Sequence, residues 1–199
     1  MLFRSFLPET AERLGITYPQ LKAINPRLVF CSLSGYGDRG PMRHRPRYDT
    51  LVQAFSGVMA ATGERGGGPV RCGVSFIDMS TGLSAYAGIV SALLMRGRTG
   101  EGTWVRGSLL ETSIALMGFH AVGYMHTGVL PGKNGSGSWN IVPYQAFECS
   151  DGLLVLGAPN EGAWKKLCTA IDEPGWIIDE RFRTNKDRVK HRDVIVPMI

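Results

Sequence analysis

Apolar and polar residues along the chain follow patterns that predict strands and helices in alternation. Residues 28–34, LVFCSLS, form a continuous apolar run, which is typical of a strand buried in a parallel sheet. Residues 48–63 carry apolar side chains at helical spacing and predict a helix. Residues 70–77, VRCGVSFI, alternate between the two faces of a strand and predict a second one. This alternation of element types favours an α/β fold.

The apolar pattern changes to a helical period at Met79, and Gly97 is the expected end of that helix. Residues 103–110 then predict another strand, and residues 111–128 predict another helix. The alternation of strands and helices therefore continues to about residue 128.

Composition changes after residue 128. Residues 129–139 are rich in glycine, serine and asparagine, which is typical of a linker or mobile loop. Residues 140–199 predict a hairpin followed by helices, the start of a smaller α+β domain. We therefore expect residues 1–128 to be part of a large α/β domain. Both ends of the chain read as the interior of a domain, so we expect a central fragment of a longer protein.

The overall composition is that of an ordinary globular protein, with 44% hydrophobic residues, 20% charged residues and a net charge of +5. Positive charge is densest at Arg39, Arg43, Arg45 and Arg47, which suits phosphates or other anions but is also typical of a solvated loop. Nucleic-acid binding is not expected, because the segment lacks interleaved aromatic residues and a recognition helix. No apolar run is predicted to cross a membrane, and the first ten residues make a poor signal peptide.

Cysteine usage indicates a reducing compartment and no structural metal. Cys31, Cys72, Cys149 and Cys168 are widely separated, with no CxxC pair and no Cys/His cluster at metal-ligand spacing. All four lie in apolar stretches, where a free cysteine usually packs as a small hydrophobe. We therefore expect a cytoplasmic protein without a bound metal.

Two glycine-rich motifs resemble nucleotide-binding loops. Residues 35–40, GYGDRG, satisfy GxGxxG and follow a predicted strand, but PMRHRP comes next where a dinucleotide-binding loop needs a helix. Residues 128–134, GVLPGKN, are one residue short of a P-loop and end in asparagine instead of serine or threonine. Neither motif therefore predicts a nucleotide site.

Asp78 is the carboxylate most in need of an explanation. It lies between the apolar run 70–77 and a run of small residues, at the predicted junction of a strand and a helix. Aspartate there can cap the helix, because the first N–H groups of a helix need acceptors. A carboxylate at the end of a strand also lies where ligands bind in open α/β sheets, which suits a nucleophile. Position alone leaves both interpretations open.

Several segments resemble the class III CoA-transferases, the formyl-CoA and carnitine CoA-transferase family. The resemblance lies in LGITYPQLKAINPRLVFCSLSGYGDRGP, RYDTLVQAFSGVMAATGE, PVRCGVSFIDMSTGLSAYAGIVSALLMRGRTGEGTWV, VPYQAFECSDG and RFRTNKDRV. It covers nearly the whole chain, with several motifs in matching order and spacing. It implies part of a Rossmann-like large domain followed by a smaller α+β domain. It also implies an interlocked homodimer of chains about twice this length.

The resemblance places the family's catalytic aspartate on Asp78. That aspartate attacks the thioester carbonyl of an acyl-CoA, forming a mixed anhydride, and then carries CoA as an aspartyl thioester before a carboxylic acid accepts it. CoA enters as a substrate, and no tightly bound cofactor or metal is implied. The partners implied are therefore an acyl-CoA and a free carboxylic acid.

The resemblance also implies positions for the CoA contacts. Pro46, Arg47, Tyr48 and Asp49 match a family segment that lies along bound CoA, and Arg47 suits a CoA phosphate. Gly135 and Gly137 fall near the family's glycine-rich loop, which covers the active site during turnover, although they are also typical of a plain linker.

Two alternatives remain. Acyl-CoA racemases of the same fold use a His/Asp acid–base pair, and their histidine falls on Tyr48, which is a poor general base at neutral pH. The chain could also be an inactive truncated fragment that only associates with other subunits. Tyr48 favours CoA transfer over racemisation.

Overall fold

The computed structural model describes residues 1–199, which divide into two compact units. Unit 1 comprises residues 1–59 and 69–130, and unit 2 comprises residues 60–68 and 131–199. The change of unit after Leu130 lies within the segment for which a linker is predicted. Residues 60–68 group with unit 2, although the sequence pattern places them in the large domain.

Unit 1 contains a parallel three-stranded sheet of order β1-β2-β3, a mixed α/β arrangement that agrees with the predicted fold class. β2 occupies the centre, and its Phe30 pairs with Leu2 on one side and Trp104 on the other. A central strand is covered on both faces, which explains the uninterrupted apolar run around Phe30. The strands are β1 Leu2–Arg4, β2 Phe30–Ser34 and β3 Trp104–Ser108.

Six helices accompany this sheet. Thr17 and Gln20 form a capping box at the start of α2, and the Ser108 hydroxyl accepts the N–H of Glu111 at the start of α6. The helices are α1 Pro8–Arg13, α2 Tyr18–Ile24, α3 Asp49–Phe55, α4 Val58–Ala61, α5 Phe76–Thr99 and α6 Leu109–Thr127.

The strand prediction for residues 70–77 is wrong. Residues 70–75 form neither helix nor strand, and α5 already begins at Phe76. The segment has no neighbouring strand, and the N–H of Cys72 is instead bound by the side chain of Gln53. Apolar alternation alone cannot distinguish a strand from such an extended segment, because the neighbouring strand is what completes the hydrogen bonding.

Two helix boundaries also differ from prediction, and a glycine accounts for each. The helix predicted over residues 48–63 is divided at Gly57, whose positive φ of 90° ends α3 before α4 starts. α5 continues past Gly97 and ends at Gly100, which has φ 77° and donates its N–H to the carbonyl of Arg96.

Two small apolar clusters hold unit 1 together. One packs α5 against the sheet through Ala85, Cys31 and Leu33, and the other joins Val52 of α3 to Ile77 of α5. The far side of α5 is apolar but exposed, and it consists of Met79, Leu83, Tyr86, Val90 and Leu94. We call these five residues the α5 stripe.

α5 also corrects the prediction that no segment could cross a membrane. It has 24 residues, and an 18-residue window has a mean hydropathy of 1.3, so length and composition alone would allow a span. One such helix is weak evidence for a membrane, because core helices of soluble proteins pass the same test. That the protein has no membrane partner therefore stays a prediction.

Unit 2 combines an antiparallel hairpin with short helices. Its core surrounds Trp164, Cys168 and Phe182, and the fully buried Arg188 lies over the Trp164 ring at 4.7 Å. Cys149 is exposed at the end of the hairpin and Cys72 is half-buried, so only Cys31 and Cys168 pack as predicted for all four. The elements are β4 Tyr144–Cys149, β5 Gly152–Gly157, α7 Glu161–Ala170, α8 Asn185–Lys190 and α9 Arg192–Ile195.

Candidate active site

Asp78 lies in the first turn of α5, two residues after the helix begins at Phe76. Ser75 occupies the cap position, so the interpretation of Asp78 as the helix cap is wrong. The residue is exposed to solvent. A carboxylate in a first helical turn is favoured by the helix dipole and by N–H groups that lack helical partners. Its own side chain therefore remains available for chemistry.

The buried carboxylate of Asp49 holds the start of α5. Its Oδ2 accepts the backbone N–H of Ile77 at 3.0 Å and that of Asp78 at 3.1 Å. Asp49 is only 4% exposed and stands at the first position of α3. The capping function expected of Asp78 is thus performed by another aspartate 29 positions earlier in the chain.

Gln53 extends this contact one step further from Asp78. Its Nε2 donates to Asp49 Oδ1 at 2.5 Å, and its Oε1 accepts the N–H of Cys72 at 2.9 Å. Gln53 is fully buried. Sequence reasoning missed this residue. The sequence feature that could have indicated Gln53 is a polar side chain next to Val52 on a helix with an apolar face.

Two opposing charges act on the Asp78 carboxyl. Partial burial raises its pKa, the negative charge of Asp49 raises it further, and the positive charge of Arg47 lowers it. Because Asp78 as a whole is exposed, solvent screens these effects. The carboxyl is thus a stronger base than an isolated aspartate, with a cation close enough to favour its ionised form.

Arg47 is half-buried and anchored to the segment after β1. Its Nη2 donates to the carbonyl and hydroxyl of Ser5, and its alkyl chain runs so close to Gly35 that a Cβ at Gly35 would lie 2.5 Å from Arg47 Cβ. Burial lowers the pKa of Arg47, the charge of Arg4 lowers it further, and Asp78 opposes both. The charges of Arg47 and Asp78 thus act on each other, while the Arg47 guanidinium is bound to Ser5.

The four residues with predicted CoA contacts differ in accessibility. Pro46 is exposed and Tyr48 is 72% exposed, so both are free to meet a ligand. The Asp49 side chain is buried, and both of its oxygens are engaged within the chain. Contact between this segment and CoA stays a prediction, and the role that the structure gives Asp49 is to bind the backbone before Asp78.

A cavity of about 340 Å³ lies in unit 1 at the carboxyl ends of the strands. Arg4, Arg39 and Arg106 line it, and Arg106 is paired with Asp38 at 2.9 Å. The GYGDRG motif therefore borders a basic cavity, but residues 41–45 after it form turns and no helix. No group of three or more His, Cys, Asp or Glu residues is arranged to hold a metal ion.

Gly135 and Gly137 lie in unit 2. Gly135 has φ 57° and donates its N–H to Gly63, and a Cβ there would meet the Glu64 carboxylate at 2.5 Å. The N–H of Gly137 donates to the carbonyl of Asn134 at 2.8 Å, closing a turn. The two glycines are therefore held in a tight turn within unit 2, and their role as an active-site loop stays a prediction.

Unit 1 thus presents an exposed first-turn carboxylate in a parallel α/β unit, and an α+β unit follows it along the chain. The chain belongs to CoA-transferase family III, whose family model matches residues 1–199. This is the family that the sequence motifs indicate.

Curated relatives of known name match almost the whole chain. An acyl-CoA transferase from Fusarium pseudograminearum is 39% identical over 199 residues, which are 100% of this chain and 44% of that protein. The succinyl-CoA:glutarate CoA-transferase of Mus musculus is 38% identical, covering 98% of this chain and 45% of its own length. The acetyl-CoA:oxalate CoA-transferase of Acetobacter aceti is 37% identical, covering 98% and 50%. The chain spans about half the length of the curated relatives it matches.

Solved structures give the same fold. A CAIB/BAIF family protein from Brucella suis superposes with a TM-score of 0.78 at 36% identity, covering 99% of this chain and 52% of that one. A hypothetical protein from Mycobacterium tuberculosis superposes with a TM-score of 0.84 at 26% identity, covering 99% and 53%.

Proposed function

We propose that this chain carries the nucleophile of a class III CoA-transferase, which moves CoA from an acyl-CoA thioester to a free carboxylic acid. The observation that carries the proposal is the exposed Asp78 carboxylate on the first turn of α5, with its backbone bound by Asp49. The names of two relatives, which pair a CoA thioester with glutarate or oxalate, support the substrate classes.

The first half of the reaction loads CoA onto the enzyme. An Asp78 oxygen attacks the thioester carbonyl carbon, the C–S bond breaks, and CoA leaves as a thiolate while a mixed anhydride forms. The thiolate then attacks the Asp78 carbonyl carbon and releases the acyl group as a carboxylate. Asp78 now carries CoA as a thioester. No net proton transfer is needed, because thiolate and carboxylate exchange as anions.

The second half repeats these steps in reverse with the acceptor. The acceptor carboxylate attacks the Asp78 thioester carbonyl, CoA leaves as a thiolate, and a second anhydride forms. The thiolate attacks the acceptor's carbonyl carbon, which completes the new acyl-CoA and returns Asp78 as a carboxylate. Arg47 favours the anionic form of Asp78 at the start and at the end of the cycle, when the carboxyl is free, since its charge opposes the effect of burial and of Asp49.

Further parts of the proposal rest on the family. Pro46, Arg47 and Tyr48 line the path of CoA, with Arg47 near a phosphate, and Gly135 and Gly137 belong to the loop that covers the site. The full-length protein is an interlocked homodimer, acts in the cytoplasm and needs no tightly bound cofactor.

Covalent capture tests the proposal directly. The chain is incubated with succinyl-CoA, acetyl-CoA or a branched acyl-CoA, treated with hydroxylamine, and examined by intact-protein and peptide mass spectrometry. Hydroxylamine cleaves aspartyl anhydrides and thioesters and leaves a hydroxamate on the attacked carboxyl, so Asp78 is expected to carry the mark. Asp78→Asn should lose it, and Asp38→Asn, an exposed aspartate of the same unit, should keep it.

The alternatives make different predictions. If no acyl-CoA marks Asp78, the transferase proposal for this chain fails and the inactive-fragment alternative stands. A racemase would instead exchange the α-hydrogen of a branched acyl-CoA for deuterium without any acceptor acid. Tyr48 occupies the position of the racemase histidine, so we expect no such exchange.

A further inference from the structure

A buried chain of hydrogen bonds connects Gln53 to the backbone of the nucleophile. Gln53 Oε1 accepts from Cys72 N–H at 2.9 Å, Gln53 Nε2 donates to Asp49 Oδ1 at 2.5 Å, and Asp49 Oδ2 accepts from Asp78 N–H at 3.1 Å. We propose that Gln53 is a positioning residue for Asp78, acting through Asp49. This inference rests on the proposed function of Asp78 as the nucleophile.

The Cys72 N–H determines how Gln53 must point. A backbone N–H can only donate, so it binds the amide oxygen of Gln53 and leaves the NH₂ group to face Asp49. Asp49 thus meets donors on both oxygens, one from Gln53 and two from the start of α5. A buried carboxylate satisfied in this way is held in one orientation, and the first turn of α5 is held with it.

Two segments of the chain are joined by this arrangement. Gln53 and Asp49 lie one turn apart on α3, whereas Cys72 lies within the irregular segment 70–75 and Asp78 lies in the first turn of α5 that follows it. The segment has no strand neighbour to define its path. Gln53 binds the segment at Cys72 and Asp49 binds the start of α5 that follows it, so together they determine where Asp78 is presented.

Exchanging the carboxylate of Asp49 and the amide of Gln53 between the two positions tests whether Gln53 acts through Asp49. In Asp49→Asn, an amide group faces the Gln53 NH₂, so one donor loses its acceptor. In Gln53→Glu, two carboxylates meet at about 2.5 Å and must share a proton. The double variant restores the pattern, because an amide at position 49 can donate to a carboxylate at position 53, which also accepts from the Cys72 N–H.

Hydroxylamine capture at Asp78 is the first readout. We expect each single variant to capture acyl groups at least about tenfold more slowly than the wild type, and the double variant to return to within about threefold. The concentration dependence on acyl-CoA should remain the same, since both side chains are buried and bound within the chain. Gln20→Glu is the matched control, because the capping box of α2 accepts either residue and capture should be unaffected.

Two readouts do not depend on turnover. Amide hydrogen exchange at Cys72, Ile77 and Asp78 should accelerate in both single variants and slow again in the double variant. The carboxyl pKa of Asp78, followed by ¹³C NMR, should fall in Asp49→Asn, where the charge leaves position 49, and should fall less in the double variant, where a carboxylate stands at position 53. The charged groups acting on this carboxyl are Asp49 on α3 and Arg47 before it.

The outcomes separate the two proposals. If the wild type is marked at Asp78 but the effects of the two substitutions simply add, positioning by Gln53 is overturned and the transferase function stands. If the wild type is never marked while amide exchange accelerates in both single variants and slows again in the double variant, the transferase function fails and the coupling of Gln53 to the backbone of Asp78 stands. Where a single variant does not fold, recovery of cooperative unfolding in the double variant supports the coupling, and failure to recover overturns it.

Discussion

Asp49 binds the backbone of Asp78 while repelling its side chain. The Asp49 carboxylate accepts the Asp78 N–H at 3.1 Å, and its negative charge raises the pKa of the Asp78 carboxyl. The same anion thus stabilises the helix turn that carries Asp78, the proposed nucleophile, and contributes to making its carboxylate more basic. A more basic carboxylate attacks a thioester better, but its ionised form is less stable in the folded protein.

Burial raises the pKa of Asp78 and the charge of Asp49 raises it further, which predicts that Asp78→Asn stabilises the protein at neutral pH. Because the folded-state pKa of Asp78 is raised, ionised Asp78 destabilises the fold above that pKa. This destabilisation disappears as pH falls below the pKa of aspartate in the unfolded chain, about 3.9. We expect the free energy of unfolding of Asp78→Asn to exceed that of the wild type by less than about 1 kcal/mol at pH 7, since the group is exposed and screened. The difference should shrink as pH falls toward about 4. Urea unfolding at a series of pH values measures it.

Asp38→Asn is a control for which the expected change in stability has the opposite sign. The hydrogen bond and charge of Arg106 lower the pKa of Asp38, so its ionised form stabilises the fold above the unfolded pKa, and this contribution is lost as pH falls. The variant should be slightly less stable than the wild type at pH 7 and equal to it in acid. A destabilised Asp78→Asn at pH 7 would contradict a raised pKa of Asp78 in the folded protein.

Arg47→Met should shift the pH profile of acyl capture toward higher pH. Arg47 lowers the pKa of Asp78, so its removal raises that pKa and leaves less of the carboxylate ionised at a given acidic pH. Capture rates between pH 4 and pH 7 measure the shift. Arg45→Met, two positions earlier in the exposed basic loop, should leave the profile where it is. An unchanged acid limb in Arg47→Met would show that the two charges do not interact.

Arg188→Met should destabilise unit 2 by about 3 kcal/mol or more. Arg188 is fully buried and donates to the carbonyls of Val142 and Phe182 and to the Glu161 carboxylate at 2.8 Å. Its loss leaves these acceptors without their donor. Urea unfolding followed by the near-UV signal of Trp164, stacked on Trp176, reports the change. Arg181→Met, an exposed partner of Asp179, should leave stability nearly unchanged.

Gly97 and Gly100 should respond to alanine in opposite directions. Gly97 lies within α5 with open space where a Cβ would be, so alanine should stabilise by about 0.5–1 kcal/mol. Gly100 has φ 77°, where alanine costs about 1–2 kcal/mol. Thermal unfolding of both variants measures the difference. The reverse order would mean that the helix ends at Gly97, as the apolar pattern alone predicts.

Sequence patterns predict the central elements of unit 1 well, because their signals are local. The apolar run around Phe30 indicates a buried strand, and the helical stripe from Met79 indicates α5. Sequence patterns fail where contacts with a distant segment determine the local conformation. Residues 70–75 alternate like a strand, yet the side chain of Gln53 takes the N–H that a neighbouring strand would bind.

The site was predictable only in part. Asp78 stands out because it follows an apolar run, and the family resemblance gives it a role. The contact between Asp49 and the start of α5 joins residues far apart in sequence, so no local pattern could indicate it. Gln53 reads as one polar residue on a helix. Only the packing of α3 against α5 shows that it is buried and engaged on both ends.

The order of the strands has a consequence for synthesis on the ribosome. β2 pairs with β1, which is made before it, but also with β3, which begins only at Trp104. Asp49, Gln53 and Asp78 therefore all leave the ribosome before the central strand can complete its second row of hydrogen bonds. Parallel pairing across so long a stretch is slow to form. The nascent chain thus carries Asp78 for a time on a half-built sheet.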